Sequence, residues 1–303
     1  VPEIASRSHL EHLPRLLRRG LSEAGLGLNA LSAVGVTVGP GLLGSLLVGV
    51  SAAKGLALGL GVPLYPINHL EAHLHSPFIG DTEPPYPYLA LIVSGGHTEL
   101  VSVGGLADYK VLGRTRDDSA GEAIDKIGRV VGLGFPAGPK MDETARFGNP
   151  DAISFPRVHV EGYDFSYSGL KTAALAWLRK NPDYFLPDLC ASLLKAVFAQ
   201  LLDKLEDAMD DEPPSSLAVV GGVAANRYFR ERLDDLARAR EISLRVPPPD
   251  GCTDNGLMVA YTAYLYHRAQ VPLDSTAMDA DPSLDLGIPT PGLTGRMTSE
   301  EPR

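Results

Sequence analysis

Residues 34–67 read VGVTVGPGLLGSLLVGVSAAKGLALGLGVPLYPI. A short β-branched run meets a Gly-Pro-Gly break, a long apolar stretch follows, and a second short apolar run closes the segment. This is strand, helix, strand, with the helix spanning residues 42–60. This alternation of strand and helix places the chain in the α/β class. The same rhythm returns at residues 217–246: a buried strand, Gly221-Gly222, a helix over 225–240 and a strand over 243–246. A membrane span is the competing reading of residues 42–64. It is disfavoured because Lys54, Pro63 and five glycines leave apolar portions shorter than the ~20 residues a span needs. Ser45, Gly49 and Ala53, four apart, suit close helix packing instead.

The remaining elements follow from periodicity and breakers. Residues 88–94 and 97–103 flank Gly95-Gly96 and read as a β-hairpin; 109–114 adds a strand. Helices are expected over 120–131, 140–147, 168–179, 187–209 and 255–268. The proline-rich stretch 83–87 is a linker. The expected organisation is therefore an N-terminal lobe over 1–86 and a second lobe over 87–268, whose last helix returns toward the first. Residues 269–303, rich in Pro, Asp, Ser, Thr and Gly, are expected to be a flexible tail.

Composition narrows the function. The 303 residues carry a net charge of −10. That excludes a whole-surface basic footprint for nucleic acid, though not a local patch such as Arg15, Arg18 and Arg19, Arg114 and Arg116, or Lys126 and Arg129. Cys190 and Cys252 have no metal or redox spacing and suit free buried thiols in a reducing compartment, so the protein is expected in the cytoplasm. No signal-peptide pattern is present in these residues.

Chemistry concentrates in a few segments. In INHLEAHLHS (67–76), His69 and His73 are four apart and share one helix face, so both imidazoles can hold one metal ion. Two surface histidines would give the same pattern. The protease signature H-E-x-x-H is not met: Glu71 lies about 200° round the helix from His69 and faces away from such an ion. His75 is off the shared face and is expected at the surface or as a cap. A third ligand could come from Asp254 in GCTDNGLMVA, which otherwise reads as a helix N-cap. Two histidines and a carboxylate suit Fe(II) or Zn.

In LIVSGGHTEL, Ser94, Gly95 and Gly96 offer backbone N–H groups to a phosphate, or form an ordinary glycine turn. LAVVGGVAANR places Asn226 and a helix start beside a ligand. Neither G-x-G-x-x-G nor the P-loop motif occurs. Asp125 could bond ribose hydroxyls or be one exposed charge among several, and Gly138 and Asp142 flank a Pro/Gly turn.

The segments KGLALGLGVPLYPINHLEAHL, LIVSGGHTEL, GEAIDKIGR, FSYSGLKTA, GGVAANR and CTDNGLMVA, in this order, resemble the TsaD family, the bacterial tRNA N6-adenosine threonylcarbamoyltransferases once labelled glycoproteases. The resemblance implies a two-lobed actin-like, sugar-kinase-like fold. It implies His69, His73 and Asp254 as ligands of one divalent metal per subunit, Fe(II) first and Zn as the alternative. It implies substrate contacts at Ile92, Val93, Ser94, Gly95, Gly96, Asp125, Gly138, Asp142 and Asn226. The implied reaction moves threonylcarbamoyl from threonylcarbamoyl-AMP to N6 of adenosine 37 in tRNAs reading codons that begin with A, with TsaB-like and TsaE-like (ATPase) partner proteins. No residue announces itself as the general base. Family members carry a strand hairpin resembling GIETSCDDT ahead of the position matching Val1. The chain is therefore expected to be N-terminally truncated, with the edge of residues 34–38 exposed and activity weakened. The alternatives are a truncated, weakly catalytic paralogue serving as a complex subunit, and a metalloprotease.

Overall fold

The computed structural model describes residues 2–158, 160–274 and 277–294. The chain separates into two compact units: Val1–Pro84 with Gly105–Tyr109 and Asn255–Arg303, and Pro85–Gly104 with Lys110–Asp254. The first crossing, between Pro84 and Pro85, falls inside the proline-rich stretch.

In the first unit, β1 (Val34–Gly39) and β2 (Leu64–Asn68) pair in parallel, with Val34 opposite Leu64 and Thr37 opposite Ile67. Helix α2 (Leu43–Leu60) is the crossover. It stops at Gly61, whose left-handed φ of 67° lets its N–H turn back to the last carbonyls. α2 is long and apolar enough to cross a membrane by length and composition, with mean hydropathy 1.6. Here it lies against β1 and against α1 (Pro2–Glu23), a helix the sequence reading did not assign. At Gly44 a Cβ would come within 2.3 Å of Ser6 Oγ and 3.4 Å of Ser6 Cβ, so the helices pass close here and a side chain at 44 would turn the Ser6 hydroxyl aside. Helix α3 (His69–His75) leaves β2 directly, and α9 (Gly256–Arg268) packs on α3, β1 and β2. Tyr65, Ile67, Ala72, Met258, Ala263 and Tyr266 form the core between them.

The stretch expected to be a flexible tail is instead packed where it is described. Asp281 N–H donates to Val38 O at 2.8 Å, and Lys54 Nζ donates to Met278 O at 2.7 Å. Met278, Leu284 and Leu286 are buried, Met278 and Leu284 alongside Val38 and Val50. The composition of this stretch is dominated by Pro and Asp, but Met278 and Leu284 pack with Val38 and Val50, and Val271, Leu273 and Leu293 pack with the Tyr65 and Ile67 core. Residues 275, 276 and 295–303 of the stretch lie outside the described residues.

The second unit is built on a five-stranded sheet in the order β5-β4-β3-β6-β7, comprising β3 (Tyr88–Val93), β4 (Thr98–Gly105), β5 (Asp108–Arg114), β6 (Ser216–Val220) and β7 (Ser243–Arg245). β3 runs antiparallel to β4 and parallel to β6. The central strands β3 and β6 are buried at every residue, which is why they read as unbroken apolar runs rather than alternating ones. The helices are α4 (Ala120–Val130), α5 (Gly138–Ala145), α6 (Ser168–Lys180), α7 (Leu186–Asp211) and α8 (Arg227–Ala239). They share one apolar core with the sheet, in which Phe198 and Phe229 stack at 4.5 Å between centroids.

Candidate functional site

The β2–α3 junction sets up the first cluster. Asn68 is the N-cap of α3: its Oδ1 accepts from Leu70 N–H at 2.8 Å and Glu71 N–H at 3.4 Å, and its Nδ2 donates to Asp285 O. With the helix start fixed, His69 and His73 lie one turn apart, ring centroids 4.8 Å apart and planes at 78°. His73 is buried and His69 half-buried. Asp254 is exposed and is peptide-bonded to Asn255, the first residue of the first unit's closing segment. Asn255 is the N-cap of α9, its Oδ1 accepting from Met258 N–H at 3.0 Å. Asp254 therefore does not cap this helix, since the cap is the residue directly before Gly256. Ligand atoms of His69, His73 and Asp254 all lie within 4.8 Å of one another. Three atoms each about 2.1 Å from a common ion are no more than about 4.2 Å apart. The donor set thus fits one cation after a side-chain adjustment of about half an ångström. Two imidazoles and one carboxylate are also the chemistry a borderline divalent metal takes.

The opposite face of α3 is occupied by α9 and the 105–109 segment. Glu71, 1% exposed, accepts from Tyr109 OH at 2.6 Å and from Tyr266 OH, both at Oε1. Burial pushes its carboxyl up to about 7, with the two tyrosine bonds and Asn68 opposing. His75 was expected at the surface or as a cap. It is fully buried, its Nδ1 3.3 Å from Thr262 Oγ1, and burial pushes the imidazole down to about 3. The reason is the packing of α9 over this face, which the helical spacing of the histidines does not reveal.

The second cluster lies wholly in the second unit. Gly95 and Gly96 turn between β3 and β4, with Ser94 N–H donating to His97 O at 2.8 Å. Ser94 Oγ accepts from Gly96 N–H at 3.2 Å and His97 N–H at 3.0 Å. An anion at the turn would share or displace those bonds. A Cβ on Gly95 or Gly96 would meet nothing within 4 Å, so the outer side of the turn is open. Ser119, the N-cap of α4, donates to Ser94 O at 3.2 Å and Gly95 O at 3.0 Å. Sequence reasoning missed this tie, although Ser119 and Glu122 carry the S-x-x-E capping signal. A Cβ on Gly121 would lie 2.5 Å from Ser94 O, and one on Gly221, at φ 95°, 2.4 Å from Val93 O. Both glycines let backbone close on the turn that follows Ile92 and Val93.

Contacts carry on from there. Asp125 Oδ1 accepts from Ala137 N–H at 2.7 Å, which holds the loop ahead of Gly138. Asp142 Oδ2 accepts from Arg227 N–H at 3.2 Å at the start of α8, while its Oδ1 is buried with no hydrogen-bond partner among the described residues. Asn226 Oδ1 caps α8 through Phe229 N–H at 3.0 Å, leaving Nδ2 as the donor that could meet a ligand. Asp125, Asp142 and Asn226 therefore each have a local structural task. Asp118, not singled out from sequence, accepts from Lys126 at 2.6 Å and Lys171 at 2.7 Å, joining α4 to α6.

Comparison with known proteins follows the same residues. Residues 1–261 match the family model described as TsaD: tRNA N6-adenosine threonylcarbamoyltransferase. The protein of that name from Symbiobacterium thermophilum is 46% identical over 292 residues, covering 95% of this chain and 85% of the relative. That from Trichlorobacter lovleyi is 46% identical over 286 residues, covering 92% and 83%. Among solved structures, full-length HypF in the phosphate- and nucleotide-bound form aligns with a TM-score of 0.62 at 11% identity, over 86% of this chain and 41% of that one. HypF from T. kodakarensis aligns at 0.60 and 15% identity, over 80% and 42%. These structural likenesses speak to fold alone, and the fold class is the actin-like, sugar-kinase-like one that the sequence implied.

Proposed function

The chain belongs to the tRNA N6-adenosine threonylcarbamoyltransferase family, and on that premise we propose how its residues serve the transfer. It is a transferase that forms N6-threonylcarbamoyladenosine in tRNA. Our finer reading takes threonylcarbamoyl-AMP as donor and adenosine 37, in tRNAs reading codons that begin with A, as acceptor. The N6 nitrogen bonds to the carbamoyl carbon, the carbon–oxygen bond to the phosphate breaks, AMP leaves, and N6 loses a proton.

The phosphate is already a good leaving group, so the protein's task is placement, which can contribute up to about 7–11 kcal/mol in favourable systems. The Ser94–Gly96 turn faces the phosphate with its open side, and the β3 end at Ile92 and Val93 supports it. Asp125 with Gly138 takes the ribose, and Asn226 Nδ2 and Asp142 Oδ1 complete the pocket wall. His69, His73 and Asp254 hold one divalent ion, Fe(II) ahead of Zn, which when bound supplies Lewis-acid polarisation and a template for the substrates. The observation that carries this reading is the approach of those three ligand atoms to within 4.8 Å from distant points in the chain.

A metalloprotease is not favoured, because the glutamate it would need is held by two tyrosines. A non-catalytic paralogue is not favoured either, since the ligand set and the donor-turn glycines are all present. The acidic balance, 37 acidic against 27 basic residues, supports partners of the TsaB and TsaE kind supplying part of the tRNA surface. A tRNA substrate and two free buried thiols support a cytoplasmic location. The test is nucleoside analysis of tRNA incubated with donor and the protein. Threonylcarbamoyladenosine that depends on His69 and Asp254 supports the reading; tRNA left unmodified by the metal-loaded, partner-supplemented protein contradicts it.

A further inference from the structure

Glu71 and His75 are four apart on α3, and Thr262 and Tyr266 are four apart on α9. They pair in antiparallel order: Tyr266 OH donates to Glu71 Oε1, and His75 Nδ1 lies 3.3 Å from Thr262 Oγ1. All four are buried. Tyr109 OH adds a third contact to Glu71 Oε1 at 2.6 Å. None of these groups is on the metal-facing side of α3. We propose that this two-rung pairing is a clamp that sets the register and tilt of α9 against α3, and so places Asp254 relative to His69 and His73, with Glu71 as its central positioning residue.

The geometry explains why two rungs are needed. The rungs are about 6 Å apart along each helix, and the start of α9 at Gly256, two residues after Asp254, lies about 9 Å beyond Thr262. One rung would act as a pivot. With two, an error of about 0.5 Å at one rung becomes about 0.8–1.3 Å at the start of α9, larger than the half-ångström adjustment the three ligands need to meet one ion. Losing the Glu71 rung leaves α9 to be aligned by apolar packing, which is less directional. α3 is only seven residues long, so its own hydrogen bonds do little to hold it. Its orientation comes from the Asn68 cap at one end and this clamp on its back.

The inference rests on the metal reading above, and the experiment separates the two. Cobalt(II) is titrated into the full chain and into Glu71→Ala, Glu71→Gln and Tyr266→Phe, following the visible spectrum and the dissociation constant. Val50→Ala, in the separate α2–β1 core, serves as the control for general destabilisation. Glu71→Ala is expected to weaken cobalt binding about 10- to 100-fold, the range seen when a group that orients metal ligands is removed, and to alter the spectrum. Glu71→Gln, which keeps an acceptor oxygen, is expected to restore binding to within about 3-fold, and Val50→Ala to leave it unchanged. Tyr266→Phe keeps the ring and gives a reading should Glu71→Ala fail to fold; it is expected to weaken binding several-fold. Parental affinity and spectrum in both Glu71→Ala and Tyr266→Phe would overturn the clamp while leaving the metal site standing. An equal loss in Val50→Ala would reduce it to general stability and overturn it too. No cobalt uptake by the parent chain would overturn the metal reading and the clamp together.

Discussion

Gly121→Ala sets two magnitudes against each other. Gly121 is the second residue of α4, and helix propensity alone favours alanine there by up to about 1 kcal/mol. The fold says the reverse. The new Cβ would sit 2.5 Å from Ser94 O, 2.8 Å from Ser94 C and 2.9 Å from Gly95 Cα, all backbone atoms that cannot rotate away. Relief needs a shift of roughly 0.7 Å, an overpacking cost of about 1–3 kcal/mol. That shift also stretches the Ser119 bonds to Ser94 O and Gly95 O and the Gly121 N–H bond to Ser94 O, each contributing about 1 kcal/mol. The expected net result is a loss of about 2–3 kcal/mol by urea denaturation, with AMP binding by calorimetry weakened at least 10-fold because the glycine turn has moved. A variant as stable as the parent, or more so, with unchanged AMP affinity would refute the argument that α4 closes on this turn.

Single substitutions His69→Ala, His73→Ala and Asp254→Ala should each lower metal content from one ion per chain to near zero, measured by elemental analysis after gel filtration. Chelation of the parent should lower its thermal midpoint by a few degrees, since an ion at 100 times its dissociation constant contributes about 2.7 kcal/mol; the alanine variants should show no such change. For Asp118, burial opposes ionisation, but its bonds to Lys126 and Lys171 win and hold the carboxyl below its ordinary range. A depressed folded value means the stabilisation is complete above the unfolded value near 3.9 and is lost as pH falls through the folded one. Acid unfolding should therefore begin at higher pH in Asp118→Asn than in the parent, followed by circular dichroism. Cys190, fully buried with its thiol pushed up to about 11 by that burial, should react with a disulfide reagent only when urea unfolds the chain; rapid labelling of the native protein would contradict the packing around α7.

The α/β class and the position of most elements were legible because their signals are local. Residues 34–39 and 64–68 are short runs bounded by Gly or Pro, the first of them β-branched, and the 42–60 stretch is too long to be anything but a helix. The histidine pair was legible because four-residue spacing on a helix is itself geometric information. What escaped depends on contacts between distant segments. His75 reads as a polar residue at a helix end, and only the packing of α9 buries it. Glu71 reads only as a residue turned away from the histidine pair, and it is Tyr109 and Tyr266 that make it a buried acceptor. The 277–294 stretch reads as a tail because Pro and Asp outnumber Met278, Leu284 and Leu286, yet those three residues decide where it lies. Asp254 is an intermediate case: local sequence offers an N-cap, and the geometry gives that task to Asn255.

The most direct test is a crystal of the cobalt-loaded protein, with anomalous scattering measured at the cobalt edge. The account predicts one strong peak per chain, about 2.0–2.2 Å from an imidazole nitrogen of His69, an imidazole nitrogen of His73 and a carboxylate oxygen of Asp254. A peak at another set of side chains, or Asp254 turned away from a metal held by the two histidines alone, would contradict it.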